Sequence, residues 1–294
     1  MRNLTLSLRG LLSLSVIGLA AFGVKLSSAE AYQVKVNPSA PKLGDTMSVF
    51  VTPELPTTAG AANPKVSAFG KQYEAFPIGG NRYRAFIPTS PLTKPGGYTL
   101  QVSGSEPTKS LSFNLAKRWF RTQYINLPPG KTDLGTDYEF DKVDAFKQIV
   151  SPKKFWNGAF ARPSAGYVST EFGVRRYYNG VFANNYYHRG VDYAAATGTP
   201  VKAPAAGQIR LVGYERNGFE IHGNTIGLDH GQGVQSIFVH LHSIRVKEGQ
   251  FVQKGEVIGT IGNTGASTGP HLHWGLYVNG VGVDPVPWRY VGFQ

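Results

Sequence analysis

The chain has no cysteine among its 294 residues. That absence excludes disulfide scaffolds, thiolate metal sites, cysteine nucleophiles and a lipid-modified N-terminal cysteine. Any metal site must therefore be built from histidine and carboxylate. Acidic residues are scarce, 18 against 30 Lys and Arg, for a formal net charge of +12. A chain this basic is drawn to polyanions, which outside the cytoplasm include wall polymers and lipid headgroups. Nucleic acid would suit the charge equally well. The basic residues are scattered, however, with no long Lys/Arg run and no nucleic-acid motif, so no nucleic-acid partner is expected. A membrane-length apolar run is also missing at the N-terminus. The apolar stretch 11–24 falls short of the ~20 residues that span a bilayer. Arg2 and Arg9 precede it and Ala29-Glu30-Ala31 follows. This reads as a secretory signal peptide over 1–31, cleaved after Ala31, leaving no stable membrane span. An uncleaved anchor is the alternative. Histidine is absent before position 188, and all seven histidines lie in the C-terminal half.

What is present is turn-rich and apolar: 41% hydrophobic, 12% aromatic, 36 Gly and 19 Pro without a fixed period. The length is enough for two domains, and the composition favours β structure over disorder. Short apolar or alternating runs recur at 32–36, 47–52, 66–69, 83–87, 98–102 and 111–115. Turn signals at 41–45, Gly79-Gly80-Asn81 and Pro95-Gly96-Gly97 separate them. Even spacing of this kind predicts an Ig-like β-sandwich over 32–116. With no histidine there, it reads as a spacer or binding module. A linker over 117–155 follows, containing Pro128-Pro129-Gly130. It holds one short helix opened by the capping box Thr136-Asp137-Tyr138-Glu139, in which Glu139 would reach back to the cap. Phe140, Val143, Phe146 and Val150 follow at near-helical spacing, and Pro152 ends the pattern. From 156 to 294 the texture is Gly-rich β.

The histidines and one carboxylate form the chemistry-bearing pattern. His188-Arg189-Gly190-Val191-Asp192 spaces its two donors i, i+4. The Gly and Val argue against a helix, but on an extended chain both side chains share a face. His271-Leu272-His273 and His240-Leu241-His242 place donors i, i+2, again on one side of a strand. A His, Asp, His trio suits Zn²⁺, which in catalytic sites takes three protein ligands and leaves one position for a water of lowered pKa. Additional histidines beside it can move protons near neutrality.

The ordered motifs resemble the lysostaphin/LytM-type zinc peptidoglycan endopeptidase family. The resemblance rests on His188-Arg189-Gly190-Val191-Asp192-Tyr193-Ala194-Ala195, Gly198-Thr199-Pro200-Val201, Asp229-His230-Gly231, His240-Leu241 and Gly269-Pro270-His271-Leu272-His273. Thr170-Glu171-Phe172-Gly173-Val174-Arg175 lies upstream, and the likeness covers roughly 160–288. It implies an antiparallel β peptidase domain with a groove and one Zn²⁺ held by His188, Asp192 and His273. His240 and His271 become the non-ligand catalytic histidines, one a base on the metal's water and the other a stabiliser of the tetrahedral intermediate. Which does which stays open. The implied substrate is peptidoglycan, cut at cross-links or stem peptides. With the signal segment this implies a periplasmic or secreted, wall-associated enzyme. Which bond is cut, and whether protein regulators act on it, stays open.

Several residues carry a blander expectation. His242 reads as surface or supporting, His222 and His230 as structural, and Tyr186 and Tyr187 as packing residues that could instead donate to an oxyanion. Two other readings compete. A member of the same fold that has lost ligands would serve as a wall-binding module or amidase activator, but all five positions are filled here. A lipoyl-like carrier would share the paired Gly turns, but no lysine stands at a hairpin tip for attachment.

Overall fold

A computed structural model of the chain describes residues 32–55, 62–126 and 135–293, all within the unit Ala31–Gln294. Residues 1–31, whose sequence predicts a signal peptide, and Pro128-Pro129-Gly130 lie outside the described residues. The fold is mainly β.

The N-terminal part is formed by β1 (Gln33–Asn37), β2 (Thr46–Thr52), β3 (Lys65–Ala68), β4 (Lys71–Glu74), β5 (Phe76–Gly79), β6 (Arg82–Pro88), β7 (Gly96–Ser103) and β8 (Lys109–Leu115). They make two four-stranded antiparallel sheets, ordered β1-β2-β6-β5 and β4-β3-β7-β8. Period-2 patterning builds the core between them. Met47, Val49 and Val51 of β2, Ala85 and Ile87 of β6, and Leu100 and Val102 of β7 are fully buried in one cluster. The Gly79-Gly80-Asn81 turn joins β5 to β6 with all three residues at positive φ, which glycine and asparagine tolerate. β4 and β5 are short strands that the sequence pattern does not reveal.

β6 is buried on both faces. Tyr83, Ala85 and Ile87 fill the sandwich, while Arg84 and Phe86 point the opposite way. Phe86 packs among Trp156, Trp288 and Phe293. The Arg84 guanidinium lies 4.2 Å from the Phe86 ring centroid, and its Nη2 donates to Gln232 Oε1 at 2.7 Å. Its Nη1 donates to the Phe293 carbonyl. Burial pulls its pKa down to about 10.

Beyond the sandwich come β9 (Thr122–Ile125) and α1 (Asp137–Lys147), the one α-helix among the described residues. Then follow β10 (Tyr167–Thr170), β11 (Arg175–Tyr178), β12 (Val181–Phe182), β13 (Gly190–Ala194), β14 (Pro200–Lys202), β15 (Gly207–Gly213), β16 (Asn224–Gly231), β17 (Val234–Ile244), β18 (Phe251–Val252), β19 (Val257–Ile261), β20 (His271–Val278) and β21 (Val281–Val283). Ten of these form one sheet along β10-β13-β20-β17-β16-β15-β18, with β14, β19 and β21 paired at its side. β9 instead joins β11 in parallel beside β12. No helix among the described residues is long and apolar enough to cross a membrane.

Alternation divides the large sheet into two faces. Tyr193, Phe238, Leu272 and Trp274 point into the main core. Ile237, Val239 and Tyr277 point to the other face, where α1 lays Val143 and Phe146. Burying those two side chains contributes roughly 3–6 kcal/mol. Phe140 and Val150, in register with them by sequence, are exposed. The capping box is half formed. Thr136 Oγ1 accepts the Glu139 N–H at 3.1 Å, but the Glu139 carboxylate turns away from the cap to a loop more than 80 residues on.

Candidate metal centre

The side chains of interest rise from the face of the sheet that also carries α1. Asp192 on β13 stands opposite His273 on β20, and His273 stands opposite Val239 on β17. Three adjacent strands thus bring the sequence-distant residues together. Gly190 allows the close approach of β13 and β20: a Cβ there would stand 2.8 Å from His273 Cε1 and clash with the Trp274 backbone.

His188 Nε2, Asp192 Oδ1 and His273 Nδ1 converge on one point. The separations are 3.0 Å from His188 to Asp192, 2.9 Å from His188 to His273 and 2.8 Å from His273 to Asp192. His188 Nδ1 lies 2.8 Å from the Glu171 carbonyl. A carbonyl only accepts, so Nδ1 carries the proton and Nε2 presents its lone pair. Two acceptors in a buried position at 3.0 Å repel one another unless a cation or a shared proton stands between them. This donor set fits a divalent cation. A tetrahedral ion with bonds of about 2.0–2.1 Å needs its ligand atoms roughly 3.3 Å apart, close to what is found.

His188 and Asp192 are buried, while His271 and His273 keep side-chain exposures of 16% and 15%. The centre therefore opens to solvent on one side. Burial opposes ionisation of Asp192, but His188 and His273 hold its carboxyl well below the usual carboxylate range. Burial pushes His273 down to about 4 against the pull of Asp192.

His271 and His240 flank this trio. His271 Nε2 is 3.9 Å from Asp192 Oδ1, and its Nδ1 donates to the Gly269 carbonyl at 2.8 Å. The His240 and His271 rings are 4.8 Å apart. His240 Nδ1 donates to the Thr264 carbonyl at 2.8 Å, which again makes Nε2 the basic nitrogen. Burial, with the neighbouring His271 and His273, pushes His240 down to about 3.

His240 reaches this face by a backbone irregularity. Phe238 pairs with Ile226 and Leu241 with Asn224, so Val239 and His240 together oppose Thr225 alone. This is a β-bulge. His240 takes φ +64°, a left-handed conformation usually left to glycine. The bulge lets His240 emerge on the site face while Leu241 returns to the main core.

The remaining candidates sit elsewhere. His242 is exposed. His230 is buried, donating from Nδ1 to the Ala206 carbonyl and bonded through Nε2 to Ser236 Oγ at 2.9 Å. Tyr187 packs in the core and donates to the Gly282 carbonyl. The Tyr186 hydroxyl accepts from Arg176 Nη1 at 2.7 Å. His222 pairs with Glu139. The carbonyls of Glu171, Thr264 and Gly269, which set the tautomers of three histidines, have no side-chain signature and cannot be found from sequence.

A model of peptidase family M23 matches residues 186–285. DD-carboxypeptidase/endopeptidase Mpg of Neisseria meningitidis is 46% identical over 99 residues, 34% of this chain and 22% of that protein. Peptidoglycan DD-endopeptidase ShyC of Vibrio cholerae is 37% identical over 118 residues, 40% of this chain and 26% of that protein. The likeness thus spans about a quarter or less of the length of these curated relatives. A solved structure from Pseudomonas aeruginosa assigned to peptidase M23 reaches much further. It aligns over 86% of this chain and 96% of its own, at 30% identity and a TM-score of 0.63. That near-complete overlap, together with the family match across β13 to β21, makes this chain a member of peptidase family M23.

Proposed function

We propose that the chain is an exported zinc metalloendopeptidase that hydrolyses peptide cross-links or stem peptides of bacterial peptidoglycan. In this reading residues 1–31 are a signal peptide, 32–116 a non-catalytic module, 117–155 a linker and 156–294 the catalytic domain. The observation that carries it is the convergence of His188 Nε2, Asp192 Oδ1 and His273 Nδ1 within 2.8–3.0 Å, with two further histidines beside them. The substrate class is supported by the relatives named for peptidoglycan or DD-peptide cleavage and by the basic charge of the chain.

His188, Asp192 and His273 would hold the ion, two neutral imidazoles and one carboxylate leaving a net +1 centre. Zinc there would supply a Lewis acid that polarises the scissile carbonyl and acidifies a water. The protein's own part is proton handling. His240 and His271 each have Nδ1–H fixed on a backbone carbonyl. Each therefore offers the Nε2 lone pair as a proton acceptor in a defined direction. Once protonated, Nε2–H can donate to the substrate oxyanion or return the proton to the leaving amine. The carbonyl on Nδ1–H stabilises the imidazolium meanwhile.

The test is release of soluble fragments from purified peptidoglycan by the purified protein. Release that a chelator abolishes and added zinc restores supports the proposal. Zinc-loaded protein that binds peptidoglycan but releases nothing would instead make it a wall-binding or amidase-activating module of the same fold.

A further inference from the structure

Glu139 lies on α1, outside the family match at 186–285, and its side chain is fully buried. A buried carboxylate must be well bonded to stay charged. This one accepts the backbone N–H of Glu220 at 2.6 Å, of Ile221 at 3.1 Å and of His222 at 2.8 Å, and it also pairs with His222 Nδ1. One carboxylate thus gathers three consecutive amides of a single loop. Thr136, the cap of the same helix, donates to the Gly218 carbonyl at 2.7 Å.

This loop holds His240. The His222 carbonyl accepts the His240 N–H at 2.9 Å. The second support of His240, the Thr264 carbonyl, belongs to a segment fastened to the same loop: Ala266 N–H donates to the Ile221 carbonyl at 2.9 Å, and Asn224 N–H to Thr264 Oγ1 at 3.0 Å. A Cβ on Gly223 would collide with Thr264, so the two segments are in close contact. His240 needs such support because a left-handed backbone at a non-glycine residue persists only where the surrounding structure over-determines it. The ligands on β13 and β20 share none of these bonds.

We propose that Glu139 is a positioning residue for His240. It fixes the 220–222 amides so that the His222 and Thr264 carbonyls hold the imidazole at the bulge. The inference rests on the reading of His240 as a proton-transfer group only for its effect on rate; the geometric claim stands apart from it. The linker helix is on this account a working part of the site.

The experiment uses the full chain, wild type beside Glu139→Ala and Glu139→Gln. It measures zinc per chain, kcat and KM for fragment release, and the His240 ring Nδ1–H and backbone amide NMR signals in histidine-¹⁵N-labelled protein. The His230 Nδ1–H signal is the internal reference. The expected result for Glu139→Ala is about one zinc per chain, KM within about 2-fold, kcat down about 10-fold or more, and the two His240 signals moved while that of His230 stays. Glu139→Gln keeps an acceptor oxygen and falls between. Unmoved His240 signals overturn the proposal. So does loss of zinc in step with activity, because the residue would then support the whole fold of the site. A wild type that releases no fragments defeats the peptidase reading instead, and the NMR shift alone then decides the role of Glu139.

Discussion

Asp192 on β13 and His273 on β20 are directly opposed in the antiparallel register, and Oδ1 of the one lies 2.8 Å from Nδ1 of the other. With His188 Nε2 against both, the trio is the part of the site that an ion would tie together. His188→Ala and His273→Ala should each lose metal and activity together. His271→Ala should keep its metal and lose turnover by roughly 10²–10⁴-fold, the usual contribution of a general acid–base group. Metal analysis beside a fragment-release assay checks this, and an empty His271→Ala site would show the ligand assignment to be wrong. His242→Ala, at an exposed position, should be nearly silent in both assays.

The bulge at His240 makes a prediction about stability. Glycine within a strand ordinarily costs about 0.5–1 kcal/mol relative to alanine. At φ +64° the order should reverse, because alanine keeps the left-handed strain and glycine has none. His240→Gly should be more stable than His240→Ala by about 1 kcal/mol in denaturant unfolding, with both lacking normal turnover. Equal stability, or alanine ahead, would mean that the strain is not present in solution.

Glu139 links the docking of α1 to pH. Burial opposes its ionisation, but the His222 side chain and the His222 and Ile221 amides hold its carboxyl below the ordinary value of 4.5. A depressed folded pKa means that its contribution to stability is fully present above about pH 4.5 and fades as pH falls through the lower folded value. The melting temperature of Glu139→Gln should therefore lie below wild type at pH 6–7, with the gap narrowing on acidification below 4.5. A gap that is constant from pH 7 to pH 3 would contradict the assignment.

Arg84 ties the sandwich to the large-sheet core through Gln232, the Phe293 carbonyl and the Phe86 and Trp156 rings. Arg84→Ala leaves two buried acceptors without a donor and should cost about 2–3 kcal/mol. Arg84→Lys should also destabilise, since an ammonium cannot reproduce the planar fork. Zinc content should not change. Urea unfolding measures the first claim and metal analysis the second.

Much of the architecture was legible because it follows period-2 burial. Six of the eight sandwich strands and the i, i+2 spacing of His271 and His273 read directly from side-chain alternation, and the turn at Gly79-Gly80-Asn81 from its glycines and asparagine. The i, i+4 pair of His188 and Asp192 was readable too, once Gly190 and Val191 had argued for an extended chain. The left-handed backbone at His240 was not, because nothing in its sequence marks a bulge and histidine is not the residue that usually occupies one. Local sequence offers Glu139 as a capping-box partner of Thr136, whereas the loop it binds is more than 80 residues away. β4 is short and polar, and β5 is four residues long with Pro77 and Gly79 as half of it, so neither shows a period. The parallel pairing of β9 with β11 joins a connector to a distant hairpin, and tertiary contacts alone decide it.

The most direct test of the central claim is the zinc content of the purified protein, wild type beside Asp192→Ala, with fragment release from peptidoglycan assayed on the same samples. About one zinc per chain and fragment release in the wild type, both lost in Asp192→Ala, is the result predicted. A wild type that takes up no zinc when it is supplied, or an Asp192→Ala variant that keeps both zinc and activity, would contradict the account.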